Sequence, residues 1–285
     1  MEQEERSGYS GPLLFWPPSG GERIGGKDLA ERGGGMIGAA AGLLVLAAAF
    51  VTATISGLFG MAGGLLLMGL LAWLLPVSAA FVMHGLLQLV ANGWRAILHR
   101  SHIDWRVVGH YAIGSAIAAA TVAMLTFVPS RPLLYLLMGL VPALTWLPRD
   151  WIRLDAARPT HGIIAGLCAT GLNLTAGVSG PLLDIFFVRT AMGRHRIIAT
   201  KAATQVFAHT AKILVFGGYL LFASGAGTLP LWLVPLAIPL SIAGTMLGGR
   251  ILDRISDRSF LAWTRLIVTG IGIVYLIEGA RLAWG

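Results

Sequence analysis

Two glycine-rich stretches decide the fold of this chain: GLFGMAGG at residues 57–64 and GLNLTAGVSGP at residues 171–181. Each one interrupts a long apolar run, and its glycines and proline disfavour a continuous helix. Inside a bilayer, non-helical backbone survives only where it is buried in protein or lines a wet cavity. Two breaks in corresponding places therefore predict a functional region within a membrane protein.

The composition independently places the chain in a membrane. Of its 285 residues, 56% are hydrophobic and only 12% are charged, against about 25% charged in ordinary soluble domains. So few charges cannot cover the surface of a soluble enzyme, a nucleic-acid binder or a disordered chain. The net charge of +8 lies mostly in short loops, where it indicates membrane orientation. The single cysteine, Cys168, excludes an intramolecular disulfide.

Several apolar runs approach the length of about 20 residues that a helix needs to cross a bilayer. They lie at 36–57, 60–75, 79–98, 107–128, 133–148, 162–175, 178–189, 197–222, 229–249 and 260–283. The first residues lack the pattern of a secretory signal. We therefore divide the chain into a flexible N-terminal tail (1–35), a first transmembrane repeat (36–148), a cytoplasmic linker (149–159) and a second transmembrane repeat (160–285).

The two repeats are recognised by an offset of 117 residues. This offset superposes both breaks and the polar residues of the helix that follows each break. The matching positions are Gly60 and Gly177, Gly63 and Gly180, Gln88 and Gln205, and Arg95 and Lys212. A duplicated transporter half explains this pattern.

The loop charges predict that the two halves are inverted. Basic clusters lie at 95–106, 149–158, 189–201 and 250–258, and positively charged loops face the cytoplasm. This placement makes the second broken segment enter and return from the cytoplasmic side and the first from the opposite side. The predicted fold class is an all-α polytopic membrane protein. Each inverted half contains a glycine-broken helical hairpin and about three spanning helices.

A polar stripe follows each break. The first contains His84, Gln88, Asn92 and Arg95, and the second contains Lys201, Gln205, His209 and Lys212. Each stripe covers only about 80° of a helix surface. Ionisable groups in membrane helices usually face the bundle interior or a wet cavity, so both stripes are candidates for substrate binding. The alternative is that they join helices, with the cations near helix ends reaching the interface.

The breaks themselves suit an anion. Broken helices expose amide groups, and their N-termini carry partial positive charge. The candidate residues are Gly60, Gly63, Gly177 and Gly180, with Asn173 and Ser179 as ligands or helix caps. Close helix packing is the alternative role of these glycines. Asp184, inside an apolar run, is either a proton site or the ion-pair partner of Lys201 or Lys212.

A protease is the alternative from another functional class. Gly177-Val-Ser179-Gly180 reads as the GxSG of intramembrane serine proteases, with His209 as a base. The equivalent of Ser179 in the first half is Ala62, so the serine is not part of the duplication. No metal-binding or phosphate-loop spacing occurs in the sequence, and we expect no cofactor and no metal.

These breaks and paired polar residues resemble the TauE/SafE sulfite exporter family over roughly residues 38–283. The resemblance implies a multi-pass permease of the bacterial inner membrane that moves sulfite, sulfonates or related sulfur-containing anions. The first break has fewer consecutive glycines than is usual in the family. Met83-His84 replaces the Thr-Ser that often follows.

The function expected from this resemblance is secondary transport of a small anion by alternating access. Arg95, Lys201 and Lys212 would supply positive charge, and Gln88, Gln205 and Asn92 would coordinate the anion. His84, His209 and Asp184 are candidates for proton coupling. The partners are the anion and the lipid bilayer, and the sequence is compatible with protons as the coupling ion and with a homodimer. A non-transporting assembly factor is the remaining alternative.

Overall fold

The computed structural model describes residues 39–59, 62–148, 153–222, 231–252 and 257–285. These residues form α-helices and short 3₁₀ segments, with no strand among them. The helices are α1 (Ala39–Phe59), α2 (Ala62–Leu74), α3 (Val77–Leu98), α4 (Trp105–Met124), α5 (Arg131–Leu140), α6 (Pro159–Thr175), α7 (Gly180–Phe187), α8 (Arg194–Phe222), α9 (Val234–Leu252) and α10 (Asp257–Trp284). The predicted tail (1–35), Gly60 of the first break and residues 149–152 of the predicted linker lie outside the described residues.

Within the described residues, four segments are long and apolar enough to cross a membrane. They are Ala40–Leu58, Trp105–Met124, Leu231–Ile251 and Trp263–Trp284. Large apolar side chains point outward from these helices, as on Ile113, Leu236 and Ile277, which suits a surface in contact with lipid rather than water. The prediction of an all-α polytopic membrane protein is confirmed.

The helix ends follow ordinary capping chemistry. The Asp104 side chain accepts hydrogen bonds from the backbone N–H groups of Arg106 and Val107 at the start of α4. The predicted run 133–148 differs from the structure, because α5 ends at Leu140 and continues as a 3₁₀ segment, Val141–Trp146. Pro142 has no N–H and disfavours a longer α-helix at this point.

Glycines allow two pairs of helices to pack closely. A Cβ on Gly114 of α4 would overlap the carbonyl oxygen of Ile163 in α6, and one on Gly166 would overlap that of Tyr111. The contact of α1 with α9 has the same chemistry, since a Cβ on Gly244 would overlap the carbonyl oxygen of Phe50. Both pairs run parallel: Gly162 of α6 lies against His110 of α4 while Thr170 bonds to Ser115 further along. In the same way, Gly244 of α9 lies against Phe50 of α1 while Gly248 lies against Thr54.

The helices that carry the polar stripes, α3 and α8, run antiparallel. His84 of α3 contacts Lys212 of α8, whereas Ala96, near the end of α3, packs with Ala202 and Ala203, near the start of α8. Helices α5 and α10 are also antiparallel: Gly139 meets Gly272, and the Trp146 side chain donates to Thr269.

Helix α2, which follows the first break, is anchored by tyrosines. Tyr275 of α10 donates its hydroxyl hydrogen to the Leu65 carbonyl at 3.0 Å, and Tyr135 of α5 donates to the Gly69 carbonyl at 2.9 Å. At the N-terminal end of α2, Gly63 lies so close to α1 that a Cβ would overlap the Thr52 carbonyl. The start of the helix is therefore fixed beside the polar stripe of α3.

The close contact between α4 and α6 predicts a difference between two glycines of one helix. Gly114→Ala should lower the free energy of unfolding by about 1–3 kcal/mol, because the added methyl group overpacks against backbone that cannot yield. Gly109→Ala is the matched control, since no atom lies within 4 Å of its added Cβ.

Thermal unfolding of the two purified variants in detergent measures this difference. Equal melting temperatures would show that the α4–α6 contact does not require glycine.

Candidate functional site

Lys212 lies at the centre of the candidate site and is fully buried. Its Nζ donates to the Gly177 carbonyl oxygen at 2.6 Å and to His84 Nδ1 at 3.1 Å. It also lies 5.0 Å from the centre of the Phe81 ring. Among the described residues, no carboxylate lies within ion-pair distance of this amine. The protein therefore encloses this side chain completely.

The hydrogen bonds of His84 fix its tautomer. His84 Nε2 lies 3.0 Å from the Gly64 carbonyl oxygen, which can only accept, so Nε2 carries the hydrogen. Nδ1 is then the acceptor for the Lys212 amine. The resulting chain of hydrogen bonds runs from Gly64 through His84 and Lys212 to Gly177. It joins the start of α2 to the second break.

The second break has a backbone conformation that favours glycine. Gly177 has φ of +75°, and a Cβ there would lie 2.7 Å from the Met68 side chain. Helix α7 then begins at Gly180, and the Ser179 side chain makes no capping hydrogen bond. The turn at Gly177 directs its carbonyl oxygen to Lys212.

Several buried polar atoms around the second break have no hydrogen-bond partner among the described residues. They are both side-chain polar atoms of Asn173, the Ser179 hydroxyl and His209 Nδ1. Burying a polar group without a partner costs free energy, so unpartnered groups at a break are candidates for contacting a ligand. The His209 ring also packs edge-on against His84, with ring centres 5.6 Å apart, which joins it to the Lys212 cluster.

The stripes continue to a second group of charges. The Asn92 amide donates to the Gln88 carbonyl oxygen at 3.0 Å, and Arg95 makes a long contact of 3.5 Å with the Asn92 side chain. Arg95 Nη2 is buried with no partner in the described part of the chain. Lys201 forms an ion pair with Asp184, and the residues that follow Arg95 and Lys201, Ala96 and Ala202, pack together.

The structure brings most predicted residues into two groups on one buried face. The central group contains Gly64, His84, Gly177, His209 and Lys212, with Gln88 beside Gly64, where a Cβ would lie 2.5 Å from its amide nitrogen. The second group contains Arg95, Lys201 and Asp184. Asn92 lies between the groups, and Gln205 is half-buried. Of the two partners predicted for Asp184, the structure selects Lys201.

Sequence reasoning missed Phe81 and Met68. Phe81 lies three residues before His84 on α3, so its helical spacing placed it on the same face. Its apolar side chain carried no functional signal. Met68 gave no signal at all, because its contact with Gly177 joins segments far apart in the chain.

The geometry does not support a serine protease. The Ser179 hydroxyl has no hydrogen-bond partner in the described part of the chain, so it does not contact His209. A Ser–His nucleophile requires that contact at about 3 Å.

The positive φ of Gly177 predicts the effect of adding a side chain at this position. Gly177→Ala should destabilise the fold, because a residue with a Cβ at positive φ costs about 1–2 kcal/mol and its methyl group would also press on Met68. Gly171→Ala, six residues earlier in α6, is the matched control, because no atom lies within 4 Å of the added Cβ.

Comparison of the melting temperatures of the two variants in detergent tests this expectation. If Gly177→Ala unfolds no earlier than Gly171→Ala, the break does not depend on glycine at position 177.

Comparison with known proteins identifies the family. Residues 44–276 match the family model described as sulfite exporter TauE/SafE. No curated protein and no solved structure matches the chain. Because the match covers most of the chain and the fold is that of a multi-pass membrane protein, this chain belongs to the TauE/SafE sulfite exporter family, a family of transporters.

Proposed function

We propose that this protein is a secondary active transporter of a small anion in the bacterial inner membrane. Sulfite, a sulfonate or a related sulfur-containing organic anion is the substrate. The transporter moves the anion without changing it chemically. Membership of the family supports the class of substrate. The single observation that carries the proposal is the buried amine of Lys212, which lies between two helix breaks.

An anion fits this site because it would supply the charge that Lys212 lacks. A buried cation without a counter-ion is strongly disfavoured, and no described carboxylate pairs with Lys212. The neighbouring polar groups of Asn173, Ser179 and His209 have no protein partner among the described residues either. Each of these three side chains can donate a hydrogen bond, that of His209 when Nδ1 carries a hydrogen. A sulfite or sulfonate group presents three oxygen acceptors, which suits such a set of donors.

Alternating access between inverted halves explains how the site could be reached from both sides. The equivalent helices α3 and α8 run antiparallel across the site. Helices α5 and α10, which close the two halves, are also antiparallel. Both observations support an inverted repeat. Because Lys212 is fully buried, an anion could enter only after these helices move.

Protons are the proposed coupling ion. The Lys212 amine and His84 Nδ1 share a hydrogen bond, and His209 lies against the His84 ring. Binding of an anion next to these bases favours their protonated forms. A proton could then be carried with the anion by His84 or His209, with Asp184 as a further proton site in the second group.

Removal of the buried cation tests the proposal. Lys212→Met should weaken anion affinity more than about tenfold, because loss of one partner from a buried charge pair costs about 2–5 kcal/mol. Methionine fills a similar volume without leaving a buried charge, so the fold should be retained. Thr210→Val, at an exposed position of the same helix, is the control. The measurement is the concentration dependence of the uptake of labelled sulfite and methanesulfonate by proteoliposomes with an imposed pH gradient, which reports the apparent affinity.

Two further variants locate the binding residues within this assay. Gln88→Ala and Gln205→Ala should each reduce uptake, with the larger effect at the buried Gln88. Unchanged uptake in both, or in Lys212→Met, would show that the anion binds elsewhere. If the wild-type chain moves no anion under any gradient, the transporter proposal fails and the assembly-factor alternative gains support.

A further inference from the structure

We propose that Arg95 and Lys201 form a second anion subsite and that the Asp184 carboxylate occupies it as a tethered substitute for the substrate. The incoming anion binds there by displacing Asp184 from Lys201. This inference rests on the proposed function, because it takes the transported anion as the ligand. It adds a second position on the pathway and a role for Asp184 as a competing anion.

The cations of this subsite have more capacity for anions than the protein fills. Arg95 carries a buried guanidinium nitrogen, Nη2, with no partner among the described residues. The other terminal nitrogen of Arg95, Nη1, lies 3.5 Å from the side-chain oxygen of Asn92, which is long for a hydrogen bond. Ala96 of α3 packs with Ala202 of α8, and Arg95 and Lys201 are the residues that immediately precede these two alanines. The Asp184 carboxylate pairs with Lys201, which leaves Arg95 without a carboxylate partner among the described residues.

Asp184 is held loosely enough to be displaced. The Lys201 and Asp184 side chains remain 28% and 37% exposed, so the protein does not enclose the pair and an anion can approach it. An anion with several oxygens could contact Lys201 and Arg95 together. In the resting structure the carboxylate pairs with Lys201 only. The anion would therefore gain a charge-assisted contact that Asp184 does not make.

The carboxylate has no counterpart in the first half. The offset of 117 residues pairs Asp184 with Leu67, although it pairs Arg95 with Lys212, the cation of the central site. Lys212 in the central site therefore has no neighbouring carboxylate, whereas the second subsite, which contains the equivalent cation Arg95, also contains Asp184. This difference is expected if the Asp184 carboxylate occupies the second subsite whenever the substrate is absent.

The two subsites lie along one face of α3. His84 of the central site and Arg95 of the second subsite are 11 positions apart in the chain, which is about 16 Å along a helix. Gln88 and Asn92 lie between them and are joined by a hydrogen bond. An anion leaving Lys212 towards Arg95 thus meets polar groups at each turn.

Removal of the carboxylate provides the test. Asp184→Asn keeps the size of the side chain and removes the competing charge, so anions should bind about tenfold more tightly, a change that corresponds to about 1.4 kcal/mol. Asp104→Asn is the matched control. Asp104 also forms an ion pair with a residue of α8, Arg196, at 2.7 Å, and asparagine preserves its capping of α4. This control should leave the affinity unchanged.

The experiment uses the purified full chain in detergent and titrations of sodium sulfite and sodium methanesulfonate by calorimetry. Tighter binding by Asp184→Asn alone supports the inference. Equal or weaker binding by Asp184→Asn, with binding by the wild type intact, overturns it and leaves the proposed function standing. Absence of binding by the wild type overturns the proposed function together with this inference.

A double variant provides a second test in case Asp184→Asn does not fold. Asp184→Asn combined with Lys201→Met removes both members of the ion pair, so it leaves no unpaired partner. It should bind the same anions no more tightly than the wild type, because the cation that the anion would gain is also gone. Tighter binding by the double variant would contradict the role of Lys201.

Discussion

The hydrogen bonds of the Lys212 amine are the interaction on which the candidate site depends. One goes to the Gly177 carbonyl and the other to His84, which itself donates to the Gly64 carbonyl. The amine thereby links the second break to the first residues of α2. A membrane interior tolerates a fully buried ionisable group poorly, and such groups usually mark a pathway for ions or substrates. The site is thus held together by a group that an incoming anion would also bind.

The surrounding helices keep this group in place. Tyrosines from α5 and α10 hold the carbonyls of α2, and glycines let α4 approach α6 and let α1 approach α9 without intervening side chains. Small residues at such contacts are a common means of packing helices where lipid offers no hydrophobic driving force. The pairs that flank the site can therefore remain close while α3 and α8 carry polar groups between them.

The sequence predicted the helical class and the polar face correctly, because both depend on local properties. Apolar runs indicate membrane helices. The spacing of His84, Gln88, Asn92 and Arg95 places them on one helix face, independently of the helix that packs against it. Partners across the fold are a different matter. Asp184 could have paired with Lys201 or Lys212, and only the packing of α7 against its neighbours distinguishes them. The contact of Met68 with Gly177 likewise depends on the tertiary arrangement and leaves no periodic signal.

The claim that an anion binds at the buried Lys212 amine is tested most directly with selenite, a heavier analogue of sulfite, soaked into crystals of the full chain. An anomalous difference map at the selenium edge locates the ion. An anion bound at this amine should give a peak within about 4 Å of Lys212 Nζ, the range of an ion pair, and no such peak in Lys212→Met. A peak confined to surface arginines, or an unchanged peak in the variant, would contradict it.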